Sequence, residues 1–128
     1  MALRDQIRIM VVDDMSTSRG LITQALDGFG VRNVATAENG KQALHALASK
    51  PAHLVISDYN MPEMDGLQLL QYLRATTQTK GVGFVLITGR AEQQIIDHGK
   101  KLGMNNYLKK PFQPDDLRNC IEAVVGRL

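Results

Sequence analysis

Five residues with complementary side chains stand at the ends of apolar runs that are typical of β-strands. Two adjacent acids follow the first run, single residues close the third, fourth and fifth runs, and the five are Asp13, Asp14, Asp58, Thr88 and Lys110. In an open α/β sheet the carboxyl ends of the strands face one crevice. The spacing therefore predicts that three carboxylates, one hydroxyl and one ammonium meet in a single pocket.

The chemistry of such a pocket is that of a hard cation and a phosphoryl group. Three clustered carboxylates repel one another unless a cation lies among them, and oxygen ligands favour a divalent ion such as Mg²⁺. Asp13 and Asp14 alone could be a solvated turn, but a third acid, Asp58, after another strand makes that interpretation weaker. A metal beside an aspartate, a threonine and a lysine is suited to holding a phosphoryl group.

Apolar runs of strand length alternate with amphipathic segments along the whole chain. The predicted strands cover residues 7–12, 31–37, 53–57, 83–87 and 105–109. The first predicted helix has an apolar stripe over 21–29, and the second opens at 39–40 and stops before Pro51. The remaining three predicted helices span 65–74, 91–102 and 113–125. Five such strand–helix units with short connections predict an α/β fold, a parallel sheet with helices on both faces.

Composition limits the class of protein. The 128 residues predict one domain, 1–128, without a separate output domain, and 44% hydrophobic residues are ordinary for a globular protein. A net charge of +2 with scattered basic residues lacks the footprint of a nucleic-acid-binding protein. Cys120 is the only cysteine, and neither a signal peptide nor a membrane span of about 20 apolar residues is present. We therefore expect a cytoplasmic protein.

Three further local predictions concern Asp65, the two adjacent lysines and Cys120. Asp65 precedes a predicted helix, so we expect it to cap that helix and not to bind metal. Alternation sends Lys109 and Lys110 to opposite faces, so only one of these two lysines enters the pocket. Cys120 falls among apolar residues of the last predicted helix, which favours a buried, inert thiol.

Taken together, these motifs resemble the signature of the response-regulator receiver domain over nearly the whole chain. The matching segments are Asp13-Asp14, Asp58-Tyr59-Asn60, Met61-Pro62-Glu63-Met64-Asp65-Gly66, Thr88, Tyr107 and Lys110-Pro111-Phe112. The pattern is most similar to the stand-alone chemotaxis regulators of that family. The resemblance implies a flavodoxin-like five-stranded sheet in the order 2-1-3-4-5 with five helices.

The resemblance also implies a role for each matching residue. Asp58 would accept the phosphoryl group, and Mg²⁺ would be held by the carboxylates of Asp13, Asp14 and Asp58 with the backbone carbonyl of Asn60. Lys110 and the metal would neutralise charge on the transferred oxygens. Thr88 would bind the phosphoryl group, and Tyr107 would turn inward near it, so that these two side chains form the switch.

The implied function is that of a monomeric signalling switch. The protein would not be an enzyme in the usual sense, since it would catalyse only its own phosphoryl transfer and dephosphorylation. Its partners would be a histidine kinase of the chemotaxis type, a flagellar motor switch protein, and a phosphatase or phosphotransfer domain. A phosphorelay shuttle or phosphate sink is the alternative within the same family.

Arg90 departs from the pattern, since the best-known chemotaxis regulators have an acid at that position. The lifetime of the phosphorylated form therefore does not carry over. Two interpretations are open: Arg90 pairs with the phosphoryl group, or it faces solvent at the start of the fourth predicted helix.

Two other classes of protein fit less well. A haloacid dehalogenase-like phosphatase needs an acid two residues beyond its nucleophile, where this chain has Met15 after Asp13. A flavodoxin-like carrier could use the hydroxyls of residues 16–18, but Asp13 and Asp14 would repel a flavin phosphate, and the chain has no tryptophan to flank the ring.

Overall fold

A computed structural model of the protein describes residues 2–90 and 92–128. Within those residues the elements, in chain order, are α1 (Leu3–Gln6), β1 (Arg8–Val12), α2 (Ser16–Gly28), β2 (Asn33–Ala37), α3 (Gly40–Ser49), β3 (Leu54–Asp58), α4 (Gly66–Ala75), β4 (Gly83–Thr88), α5 (Gln93–Lys101), β5 (Asn106–Lys109) and α6 (Pro114–Val125).

The five strands form one parallel sheet in the order β2-β1-β3-β4-β5. This confirms the predicted fold class and strand order. The register aligns the strand ends: Val12 pairs with Ser57, and Thr88 pairs with Lys109. Because all strands run in the same direction, the residues that follow them emerge along one edge.

Two hydrophobic cores cover the two faces of the sheet, as expected for a buried parallel sheet. Successive strand residues point to opposite faces. Met10 and Val12 therefore contribute to the core under α3, α4 and α5, whereas Ile9 and Val11 contribute to the core under α2 and α6. Burial of this apolar surface fixes the positions of the strand ends that carry the polar residues.

The helix count is one higher than predicted. The one-turn helix α1 precedes the first strand, and its four residues are too few to show a helical period. Helix α2 begins at Ser16, ahead of the apolar stripe predicted over 21–29, and the other boundaries agree with the predicted ones to within two residues where both are described. Ala91, the predicted first residue of the fourth helix, lies outside the described residues.

Two local predictions are confirmed. The Asp65 side chain accepts a hydrogen bond of 2.8 Å from the Gln68 N–H, and the Gln68 side chain accepts one from the Asp65 N–H, so Asp65 caps α4. Cys120 is buried, and burial raises the pKa of its thiol to about 11. Among the described residues, no helix is both long and apolar enough to cross a lipid bilayer.

Candidate functional site

The ends of β1 and β3 bring three carboxylates together. Asp13, Asp14 and Asp58 each offer an oxygen within 4.8 Å of the other two. Asp13 and Asp58 are buried, whereas Asp14 is exposed. The predicted acidic cluster is therefore present, and one of its three members faces the entrance.

The hydrogen bonding of the Asp13 carboxylate is the best test of whether this cluster fits a cation. Its Oδ1 accepts a hydrogen bond of 3.0 Å from the Met15 N–H. Within residues 2–90 and 92–128, its Oδ2 is the one buried side-chain nitrogen or oxygen that has no hydrogen-bond partner. An unsatisfied buried carboxylate oxygen is costly, and a bound cation would satisfy it. Three oxygen donors of this kind fit Mg²⁺.

Asp14 offers the most direct test of whether this cluster binds a metal ion. Asp14→Ala removes the one carboxylate of the three that faces the entrance and disturbs no buried side chain. We therefore expect Mg²⁺ binding to be lost in a titration followed by NMR or calorimetry. Asp27→Ala, an exposed acid at the far end of α2, is the matched control. Wild-type affinity in the Asp14 variant would mean that the cation binds elsewhere.

Lys110 is the lysine that enters the pocket. Its Nζ donates to Asp58 Oδ1 at 2.9 Å, and its side chain is half-buried. Lys109 is exposed, as strand alternation predicts for one of the two neighbours. The Lys110 N–H donates to the Thr88 carbonyl at 2.8 Å, which continues the pairing of β4 with β5 beyond the strand end. The ammonium is therefore held beside the predicted acceptor.

The carboxyl of Asp58 lies in an environment that disfavours its charge. Burial raises the pKa of Asp58 above its ordinary value, Lys110 acts in the opposite direction, and Asp13 and Asp14 add to the rise. The net result is a raised pKa despite the direct contact with an ammonium. Without a cation, the ionised form of Asp58 is therefore disfavoured chiefly by burial, with the two neighbouring acids as a smaller cause.

We expect Asp58→Asn to stabilise the metal-free protein at pH 7 by about 0.5–2 kcal/mol, as often happens when a strained functional site is neutralised. A raised folded-state pKa means that the native state binds the proton more tightly than the unfolded state does. The ionised group therefore destabilises the fold above its folded-state pKa, and this penalty fades as the pH falls towards the ordinary value of 3.8.

The measurement is the free energy of unfolding of both proteins as a function of pH, in a metal chelator. The gain should shrink as the pH falls through the folded-state pKa. Added Mg²⁺ should stabilise only the wild type. A variant less stable than the wild type at pH 7 would contradict this account of the charge cluster.

Thr88 lies at the end of β4, with its side chain almost completely buried. Its Oγ1 accepts a hydrogen bond of 2.9 Å from the Arg90 N–H and lies 3.3 Å from the Arg90 carbonyl. The hydroxyl is thus held by the backbone of the next loop. A phosphoryl group on Asp58 would have to compete with that loop for Thr88.

The two interpretations of Arg90 can now be compared. Its guanidinium donates to Glu92 Oε1 at 2.9 Å, and its side chain is 67% exposed. The solvent-facing interpretation therefore describes this structure. An exposed ion pair of this kind contributes little to stability, so it would not hold Arg90 away from a stronger anion.

Tyr107 lies in β5, three residues before Lys110. It is half-buried and packs against the core on the face of α3, α4 and α5. Its backbone is held firmly: its N–H donates to Asn106 Oδ1 at 2.9 Å, and its carbonyl accepts from the Cys120 thiol at 3.6 Å. Its partial exposure leaves the ring in contact with both core and solvent.

The loop after β3 is tied closely to the site. Asn60 is exposed directly after Tyr59, and within the described chain its carbonyl accepts no hydrogen bond, which leaves it available to a cation. A Cβ added to Gly66 would lie 2.5 Å from the Asp58 carbonyl oxygen and 2.7 Å from the Leu86 side chain. The start of α4 therefore touches the backbone of Asp58, a role for Gly66 that the sequence analysis missed.

Known proteins share this fold. The family model of the response regulator receiver domain matches residues 9–122. The chain therefore belongs to the response regulator receiver domain family, as its motifs predicted.

Relatives within that family point to chemotaxis. A probable chemotaxis protein CheY from Rhizobium etli is 38% identical over 128 residues, which cover 100% of this chain and 99% of the relative. The structure of chemotaxis protein CheY4 from Vibrio cholerae has a TM-score of 0.88 at 28% identity, covering 94% of this chain and 99% of that one.

A third comparison bears on the metal. The receiver domain of a sensor histidine kinase from Pseudomonas aeruginosa has a TM-score of 0.85 at 25% identity, covering 95% of this chain and 99% of that domain. That structure has a magnesium ion coordinated in its active site cleft.

Proposed function

We propose that this protein is a phosphorylation-controlled switch that accepts a phosphoryl group on Asp58 from a histidine kinase and signals to the flagellar motor in chemotaxis. The observation that carries the proposal is the geometry around Asp58. Its carboxylate lies with two further acids within 4.8 Å and with the Lys110 ammonium at 2.9 Å.

The transfer step follows from that geometry. A carboxylate oxygen of Asp58 attacks the phosphorus of a phosphohistidine, so a P–O bond forms while the P–N bond breaks. The departing imidazole nitrogen keeps the electron pair. The product is an acyl phosphate on Asp58. Nucleophilic attack requires the ionised carboxylate; Lys110 favours that form, and burial opposes it.

The remaining side chains orient and neutralise the phosphoryl group. Asp13, Asp14, Asp58 and the Asn60 carbonyl would hold Mg²⁺, which supplies positive charge to the phosphoryl oxygens. The Lys110 ammonium, already beside Asp58, would bind an oxygen of the new phosphoryl group. Such electrostatic stabilisation is the main source of catalysis in phosphoryl transfer. The protein acts catalytically only on its own Asp58.

The output would be carried by Thr88 and Tyr107. A phosphoryl group that draws the Thr88 hydroxyl away from the Arg90 backbone would open space on the β4–β5 side of the site. Tyr107 is half-buried on β5 and could fill that space. Phosphate would thus favour one of two packings through contacts that exist only in that state. We place this signalling in the cytoplasm.

We expect phosphorylation to raise the affinity for a purified flagellar switch protein about 5- to 150-fold, the usual range of allosteric coupling. Tyr107→Ala should reduce this gain while Asp58 is still phosphorylated, because the ring lies beyond the reacting atoms. Tyr72→Ala, an exposed tyrosine on α4, serves as control. Affinity should be measured with and without phosphodonor.

Two outcomes would change the proposed output. Equal affinity for the switch protein in both states would exclude motor signalling. Exchange of phosphate with a histidine-phosphotransfer domain, with no gain in switch binding, would instead assign the protein as a phosphorelay shuttle or phosphate sink.

A further inference from the structure

Arg19 contacts both the acidic cluster and the loop after β2, and no sequence motif predicts this contact. It lies in the first turns of α2, and its side chain is only 18% exposed. Its Nη1 donates to the Asp13 backbone carbonyl at 2.7 Å, and its Nη2 lies 3.8 Å from Glu38 Oε1. One guanidinium therefore links the end of β1 to the loop between β2 and α3.

The bond to the Asp13 carbonyl bears on where Asp14 lies. A peptide unit is planar, so the Asp13 carbonyl shares a rigid plane with the Asp14 N–H and Cα. Holding that carbonyl fixes the direction in which the chain leaves Asp13. It therefore fixes the position of the Asp14 Cα, from which the exposed side chain extends.

The other polar atoms of Asp13 are also restrained. The Asp13 N–H donates to the Ala37 carbonyl at 3.1 Å, and its Oδ1 accepts from the Met15 N–H. With Arg19 on the carbonyl, Oδ2 alone has no partner among the described residues. The turn thus leaves one carboxylate oxygen of Asp13 without a partner, and Asp13 and Asp14 offer oxygens within 4.8 Å of each other.

We infer that Arg19 is a positioning residue for the metal site: it holds the Asp13–Asp14 peptide so that both acids face one cation. This role rests on the proposed Mg²⁺-dependent function. Its guanidinium suits the task because a planar fork can serve two acceptors at once, which a single ammonium does less well. Glu38 offsets the positive charge that Arg19 would otherwise bring towards the cation.

The direction in which Mg²⁺ affinity changes on mutation of Arg19 separates a positioning role from a purely electrostatic one. Arg19→Met keeps the unbranched stem and removes the charge and the donors. If Arg19 acted only through its charge, removing it would strengthen Mg²⁺ binding. If it positions the peptide, removing it should weaken Mg²⁺ binding about 10- to 100-fold, the usual cost of losing a group that orients a metal ligand.

Two companion variants sharpen the test. Arg19→Lys keeps the charge but loses the fork, so it should also weaken Mg²⁺ binding, whereas a purely electrostatic role predicts no change. Glu38→Gln keeps the bond to the Asp13 carbonyl and should alter affinity less than about 5-fold, the size of a surface ion pair.

The experiment is a titration of the four metal-free proteins with Mg²⁺ and with Ca²⁺, followed by amide chemical shifts, with unfolding midpoints to verify the fold. Because Mg²⁺ demands near-octahedral ligands and Ca²⁺ is more tolerant, Arg19→Met should lose more Mg²⁺ than Ca²⁺ affinity. A general loss of stability would lower both equally.

The outcomes distinguish this inference from the proposed function. Wild-type protein that binds no Mg²⁺ would overturn the proposed function itself. Wild-type protein that binds Mg²⁺, with Arg19→Met binding it equally well or more tightly, would overturn the positioning role alone. An equal loss of Mg²⁺ and Ca²⁺ affinity would also contradict it.

Discussion

Asp58→Asn is expected to accept no phosphoryl group from a small donor such as acetyl phosphate in the presence of Mg²⁺. An amide is not an anionic nucleophile, and it contributes no negative charge to a cation. The loss should be complete because the other two acids have different surroundings: Asp14 is exposed, and Asp13 is held through Oδ1 by the Met15 N–H. Intact-mass spectrometry measures the uptake directly.

The matched control is Asp27→Asn, which changes an exposed acid far from the strand ends. It should be phosphorylated like the wild type. A phosphate adduct that persists in Asp58→Asn would place the acceptor on another residue. The unfolding curve of Asp58→Asn shows whether a negative result could come from loss of the fold.

Lys110→Ala is expected to keep Mg²⁺ binding and lose most of the gain in partner affinity on phosphorylation. Its ammonium is 2.9 Å from Asp58 Oδ1, and among the described residues it makes no ion pair with Asp13 or Asp14, the other two proposed metal ligands. Once Asp58 carries a phosphoryl group, Lys110 would contact an oxygen of that group and favour the active packing. The gain in affinity for the switch protein should fall from about 5- to 150-fold to nearly none.

Lys109→Ala is the natural comparison, since the two lysines are neighbours and Lys109 is exposed. Both variants should be titrated with Mg²⁺, phosphorylated and tested for binding to the switch protein. Normal coupling in Lys110→Ala together with lost coupling in Lys109→Ala would show that the wrong lysine has been assigned to the pocket.

The main part of the site could be predicted because strand periodicity is a strong signal. Residues that follow parallel strands must meet at one edge, so Asp13, Asp14, Asp58 and Lys110 could be grouped from the sequence alone. Alternation separated Lys109 from Lys110 in the same way. The cap at Asp65 was predictable because its donors lie within the next turn of the same helix.

Contacts that depend on how a helix meets the strand before it were not predictable in the same way. Arg19 binds a backbone carbonyl, and a carbonyl carries no sequence signal. The closeness of Gly66 to Asp58 depends on how α4 approaches β3. A Cβ added to Gly66 would lie 2.5 Å from the Asp58 carbonyl oxygen. Helix α1 has four residues, too few to show a repeat of the helical period of about 3.6 residues. In each case packing, and not local pattern, decides the structure.

Arg90 lies between these two cases. The sequence identified it as a departure from the family pattern but left two interpretations open. The structure shows it paired with Glu92 at the surface, close to Thr88 through its backbone N–H. Its place two residues after Thr88 was evident from the sequence, whereas the choice of its ionic partner depended on the loop conformation.

The central claim is that Asp58 is the phosphoryl acceptor, and mapping the modified residue tests it most directly. Wild-type protein treated with Mg²⁺ and acetyl phosphate should carry a single phosphoryl group on the peptide that contains Asp58, labile to hydroxylamine as an acyl phosphate is. A hydroxylamine-stable phosphate on a serine, a phosphate on a histidine, or no Mg²⁺-dependent modification at all would contradict the account.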